Sequence, residues 1–300
     1  TRPEEYVQIP ATGKTLHWVF SAAETGFDPA GVHDYYSGTI IEAVFETLLT
    51  YDYLARPAKL VPLTAEALPE IGDDGKTWTL KLRKGIRFAP DAAFHGKPRE
   101  LTAEDYAYAL KRLIDPRVRS PYAFLVEGKF LGLDELAEQA KQSGRFDYAA
   151  RIPGIEAVDR YTLRLRLKQA DPNLAYLLAF PQTSAVAREV IEKYADESGR
   201  AMANPVGTGP FRLARWVRGA KITLEANPEY HGMTWNFAAS ANPADPADQQ
   251  IVREMQGKRL PAIRRVEIAI MEEDQSRWLA FQNGELDVMN MDGPLAPRAL

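Results

Sequence analysis

The chain has 300 residues, 45% of them hydrophobic and 26% charged, which is the make-up of an ordinary globular protein of two domains or two lobes. A formal net charge of −4 argues against a surface built for polyanions, so nucleic acid is not an expected partner. The absence of cysteine excludes disulfides, thiolate metal sites and cysteine nucleophiles, and no run of about 18 apolar residues is present to span a membrane.

In chain order, residues 1–14 are polar and carry Pro3, Pro10 and Gly13, a loosely attached lead-in. Thr15–Phe20 is a short β-rich run. Phe27-Asp28-Pro29 reads as a turn before His33-Asp34-Tyr35-Tyr36-Ser37, and Ile40, Ile41, Val44, Phe45, Leu48 and Leu49 then form one helical stripe ending near Tyr51-Asp52. Asp73-Asp74-Gly75 supplies a turn, and in Lys76–Arg83 the residues Trp78, Leu80 and Leu82 alternate with polar ones, the pattern of a half-buried strand. Ala89–Glu100 reads as a long surface loop. Thr102 with Asp105 forms a capping box, followed by Tyr106, Ala109, Leu110 and Leu113 at helical spacing until Pro116 stops the helix.

Leu133–Ser143 is expected to be an exposed helix, Ile155–Leu167 a second alternating strand, and Arg188–Tyr194 a helix. Pro205, Gly207, Gly209 and Pro210 set backbone angles ahead of a strand at Ile222 and Leu224. Met233–Leu260, with Pro243 and Pro246, reads as a loop insertion holding a short helix at Asp248–Gln256. Ile263–Ile270 is a further strand, and Asp274 is placed to cap a helix at Gln275–Asn283 with Gly284 after it.

No catalytic constellation emerges. His17, His33, His95 and His231 lack metal-ligand spacing, Ser184 and Ser198 lack a nucleophile elbow, and Gly207-Thr208-Gly209 lacks the ending of a phosphate-binding loop. No metal, cofactor or catalytic residue is assigned.

Three phrases carry a family resemblance: "TWTLKLRKGIRF" followed by "LTAEDYAYALKRLIDP", "NPVGTGPFRLARWVRGAKITLEANPEYHG", and "FDPAGVHDYYSGTIIEAVFETLLTYD". In that order, and with Glu285-Leu286-Asp287-Val288 behind them, they resemble the oligopeptide and dipeptide solute-binding proteins of ABC transporters, family 5.

The resemblance implies an α/β periplasmic-binding-protein-like fold of class II (cluster C). Lobe I would be discontinuous, residues 1–45 and 188–300, with an α/β subdomain inserted at 46–187. It also implies a second large lobe beyond this chain, with hinge crossings near Val288–Leu300, and weak or no solute binding by these 300 residues alone. Starting at Thr1 without an apolar leader, the chain reads as a mature or trimmed exported form, with the signal peptide or lipid anchor outside it.

By the same resemblance His33, Asp34, Tyr35 and Tyr36 face the ligand backbone, Tyr122 and Phe180 approach the ligand, and Thr208 and Gly209 lie near the cleft floor. Core packing accounts equally well for Tyr122 and Phe180. The implied role is capture of a peptide solute in the periplasm by a monomer, for delivery to ABC permease membrane subunits. Nickel, haem, a sugar or an opine would suit the same fold. The rivals from other classes are an enzyme with an unrecognised cleft, and a sensor or chaperone.

Overall fold

The computed structural model describes residues 13–290. The lead-in up to residue 12 and most of the expected hinge segment therefore lie outside the described residues. Strand β1 (Thr15–Phe20) is followed by helix α1 (Tyr35–Val44), the short strands β2 (Leu49–Tyr51), β3 (Leu60–Pro62) and β4 (Glu70–Gly72), and then β5 (Thr77–Lys81). Next come helices α2 (Ala103–Arg112) and α3 (Leu133–Ser143), strands β6 (Ile155–Asp159) and β7 (Thr162–Arg166), and helices α4 (Leu174–Leu177) and α5 (Arg188–Tyr194). The remainder is β8 (Phe211–Val217), β9 (Lys221–Ala226), β10 (Met233–Thr234), α6 (Pro246–Met255), β11 (Arg259–Leu260), β12 (Arg265–Ile270) and α7 (Asp274–Gln282).

Two four-stranded sheets organise these elements. The first has the order β1-β12-β9-β8 and joins the two ends of the described chain, because β1 pairs parallel with β12 from Thr15↔Arg265 to Phe20↔Ile270. The second, β4-β5-β7-β6, is antiparallel throughout. Each sheet lies against its own hydrophobic cluster. Phe20, Phe27, Ile40, Ile41, Ile222 and Ile268 belong to the first, and Trp78, Leu80, Leu82, Phe88, Leu163 and Leu165 to the second.

Helix α2 serves both clusters. Its capping box forms as the sequence suggests, with Thr102 and Asp105 each satisfying the other's backbone N–H. Nine of its residues are buried: Tyr106 and Leu110 face the second cluster, Tyr108 and Ala109 the first. A deeply buried ion pair ties it to the loop before α1. Arg112 donates from Nη1 and Nη2 to the two carboxylate oxygens of Asp28, both at 2.8 Å, and from Nη2 to the Gly199 carbonyl at 2.8 Å.

Several sequence expectations are corrected. The stripe from Ile40 to Leu49 is not one helix: α1 stops at Val44, where Phe45 turns extended and the Val44 carbonyl accepts the Gly209 N–H at 2.9 Å. Leu48 and Leu49 are buried all the same, Leu49 in β2. Ile155–Leu167 is a hairpin, because the Asp159 carboxylate accepts the Tyr161 N–H at 2.8 Å and closes a turn between β6 and β7.

Ala89–Glu100 is more than a surface loop. Asp91 caps a helical turn at Ala92–Phe94, Phe94 is buried against Phe88, and Arg99 forms a fork with Asp105 and bonds Glu189. Helix α2 ends at Arg112, ahead of the expected stop at Pro116, and α7 begins at Asp274 with Glu273 as its cap. Beyond the helix expected in 233–260, β10 and β11 close the insertion as a two-stranded ladder.

Candidate functional site

The residues singled out by resemblance fall into three groups. The first is the N-terminal end of α1. Asp34 is its N-cap, accepting the Ser37 N–H at 2.8 Å on one oxygen and the Thr25 hydroxyl at 2.5 Å on the other. Burial raises the Asp34 carboxyl, but the Thr25 and Ser37 hydrogen bonds outweigh it and leave the group below the usual carboxylate range. Tyr36 turns inward, its ring 4.5 Å from that of Phe20 and its hydroxyl 2.5 Å from the Ser21 hydroxyl. Tyr35 points out, 69% exposed, with its ring edge-on to Tyr36 at 5.3 Å, and His33 is exposed beside it. An anchored pair, Asp34 and Tyr36, thus presents a solvent-facing pair, His33 and Tyr35.

The second group is aromatic. Tyr122 and Phe180 meet edge to face at 5.2 Å, and Phe124, 63% exposed, lies 6.0 Å from Tyr122. Tyr122 packs against the second cluster, while Tyr122 and Phe180 both keep a partly exposed face. Such a pair contributes about 0.5–1.5 kcal/mol beyond area burial and leaves apolar surface available to a ligand.

The third group is the Gly-Thr-Gly loop. Gly207 and Gly209 cross the end of α1 so closely that a Cβ on Gly207 would lie 2.1 Å from the Val44 carbonyl oxygen. Thr208 is buried and donates its hydroxyl to Glu46 Oε2 at 2.8 Å. The Gly209 N–H goes to Val44 and its carbonyl accepts from the Asn227 amide at 2.9 Å. This loop is braced, with the polar groups of Thr208 and Gly209 already committed inside the protein.

Sequence reasoning missed what that loop rests on. Glu46, 4% exposed, accepts from Thr208 and lies 2.9 Å from His231 Nε2, while its backbone carbonyl accepts from the Tyr106 hydroxyl at 3.0 Å. Nothing in the local sequence pairs His231 with Glu46, 185 positions away; that contact required the fold. Asp28, read only as a turn residue, is the other omission. Among the described residues no group of three or more His, Asp or Glu is arranged to hold a metal ion, and no helix is long and apolar enough to cross a membrane.

Comparison with known proteins places this geometry. The family model for bacterial extracellular solute-binding proteins, family 5 (middle region), matches residues 59–299. The periplasmic oligopeptide-binding protein OppA of Escherichia coli K12 is 34% identical over 212 residues, covering 70% of this chain and 35% of that protein. The dipeptide-binding protein of Pseudomonas aeruginosa PAO1 is 31% identical over 215 residues, covering 68% of this chain and 36% of that one. Among solved structures, the substrate-binding domain of an oligopeptide ABC transporter from Bacillus anthracis superposes with a TM-score of 0.70 at 20% identity, covering 96% of this chain and 47% of that one. The chain thus spans about a third of the length of these curated relatives and about half of that solved chain. With an α/β architecture of the periplasmic-binding-protein type and a family match over residues 59–299, the chain belongs to the bacterial extracellular solute-binding proteins of family 5.

Proposed function

We propose that the chain forms the part of an extracytoplasmic solute-binding protein that holds one side of a peptide, oligopeptide or dipeptide, for delivery to the membrane subunits of an ABC importer. The observation that carries this reading is the partly exposed aromatic surface of Tyr122, Phe180 and Phe124. It offers apolar contact without reading a particular side chain, which suits a ligand of varied sequence. The exposed pair His33 and Tyr35 would meet the ligand backbone, and the braced Thr208–Gly209 loop would shape the floor. The role is capture rather than chemistry, by a monomer in the periplasm, with closure over the solute shifting the population towards the form a permease recognises.

The same reading divides the chain into lobe I (1–45 and 188–300) and an inserted subdomain (46–187). In its support, the two hydrophobic clusters largely follow these limits, with Tyr108, Ala109 and Val186 crossing over to the first and Ala30, Val190 and Val206 to the second. The test is native mass spectrometry of the protein purified gently from its host without added ligand. Retained peptides of mixed sequence are expected. A single non-peptide mass, or no peptide retained even after a screen of di- to pentapeptides, would overturn the proposal.

A further inference from the structure

A cavity of about 500 Å³ lies between the end of α1, strand β2 and the 233–260 insertion, and none of the eight residues discussed as peptide contacts lines it. Its volume is within the range of small-molecule sites. One wall is a run of aromatic rings set edge to face, Tyr53 to Trp235 at 6.2 Å and Trp235 to Phe237 at 5.4 Å. Helix α6 supplies another wall with Ile251 and Met255, and none of its residues is fully buried, so its apolar side chains cover the space without filling it. Apolar side chains lining an open site of this size are in contact with water, and a ligand that covers them removes that area from water.

The lining also holds acidic groups. Glu42 and Glu46 both line the cavity. The Glu46 carboxylate is engaged by Thr208 and His231. Glu42 is exposed, and partial desolvation raises its carboxyl above the usual carboxylate range, with no cation offsetting it. Of the nearby basic groups, His231 is held by Glu46, Arg259 donates to the His231 carbonyl at 3.1 Å, and Arg83, which is near Tyr230, donates to the Ala65 carbonyl at 3.2 Å. A carboxylate without an ion-pair partner, lining the same cavity as Tyr53, Trp235 and Phe237, is an arrangement that favours an ammonium with an apolar body.

We infer that this cavity is a second binding site, separate from the peptide-contact residues, for a small organic cation: an ammonium group directed to Glu42, carried on an aromatic or branched aliphatic body that packs against Tyr53, Trp235, Phe237 and Met255. Neutral apolar molecules would share the packing and lack the ion pair.

Isothermal titration calorimetry of the 300-residue chain with phenethylammonium and with its uncharged counterpart 2-phenylethanol tests this. The ammonium is expected to bind saturably and about tenfold or more tighter than the alcohol, a ratio that needs no variant to interpret. Glu42→Gln, at an exposed position, is expected to remove that preference and leave alcohol binding unchanged. Tyr53→Ala, 58% exposed in the parent, should weaken both ligands. Equal binding of the two ligands by the parent chain, a preference that survives Glu42→Gln, or no saturable binding of the ammonium at millimolar concentration would each overturn the assignment.

Discussion

Replacing Asp28 by Asn tests how the two clusters are held together. The Asp28 carboxylate accepts both Arg112 donors at 2.8 Å, the Ala201 N–H at 2.8 Å and the Ala30 N–H at 3.0 Å, and both side chains of the ion pair are about 1% exposed or less. Every group facing the carboxylate is a donor. An asparagine amide would place its own N–H against either Arg112 and Ala201 or Arg112 and Ala30, and would leave the guanidinium charge buried without a counter-ion. Breaking a buried pair of this kind costs about 3–5 kcal/mol. In many proteins an apolar double replacement relieves the loss. Here Asp28→Leu with Arg112→Met would still strand the Gly199 carbonyl and the Ala30 and Ala201 N–H groups, each at about 1–3 kcal/mol, so the double variant is expected to remain destabilised.

The same pair makes stability depend on acid. Burial raises the Asp28 carboxyl, but the charge and hydrogen bonds of Arg112, with the two backbone N–H groups, outweigh it and leave the pKa lowered in the folded protein. A depressed carboxylate contributes stability that is present above its unfolded value, about 3.9, and lost as pH falls through the folded value. Urea unfolding followed by circular dichroism, from neutral pH down to about pH 3, measures both effects. The Asn variant should lose about 3–5 kcal/mol at neutral pH and show a shallower acid dependence than the parent. A loss below about 1 kcal/mol, with unchanged acid sensitivity, would refute the reasoning.

Three further outcomes are expected. Gly207→Ala should cost about 3 kcal/mol or more in thermal unfolding, because its Cβ would enter the Val44 backbone at 2.1 Å and that backbone is pinned by Gly209. Thr208→Val, nearly isosteric, should cost about 1.5–3 kcal/mol by removing a buried hydrogen bond to the Glu46 carboxylate; a loss within a few tenths would mean that water or His231 takes over the bond. Tyr122→Ala should weaken peptide binding by about three- to tenfold at unchanged fold by circular dichroism, and an unchanged affinity would leave Tyr122 a packing residue only.

Much of the scaffold was legible from local patterns. Thr15–Phe20 and Arg188–Tyr194 form as expected, Leu133–Ser143 forms a helix that is not exposed as expected but buries Leu133, Leu136, Ala137 and Ala140 in the second cluster, and the Thr102–Asp105 capping box starts α2 where its spacing says. Each is a short-range feature: side-chain alternation, an apolar stripe, or a cap three residues from its partner. Local pattern failed where a distant segment intervened. The apolar stripe of α1 continues to Leu49, yet the helix ends at Val44, where the glycine loop some 165 residues later occupies its terminus and takes the Val44 carbonyl.

The site divides along the same line. Sequence order and motif spacing were enough for the family, and the resemblance then singled out His33–Tyr36, Tyr122, Phe180 and the Gly-Thr-Gly loop as candidate contacts. Which of these groups are free was a matter of three-dimensional packing. Thr208 is consumed by Glu46, Asp34 by its own helix and Tyr36 by Ser21, while His33, Tyr35 and the ring pair Tyr122–Phe180 keep exposed faces. Asp28 with Arg112 and Glu46 with His231 join residues separated by 80 positions or more, and each pairing exists because burial requires a polar group to find a partner.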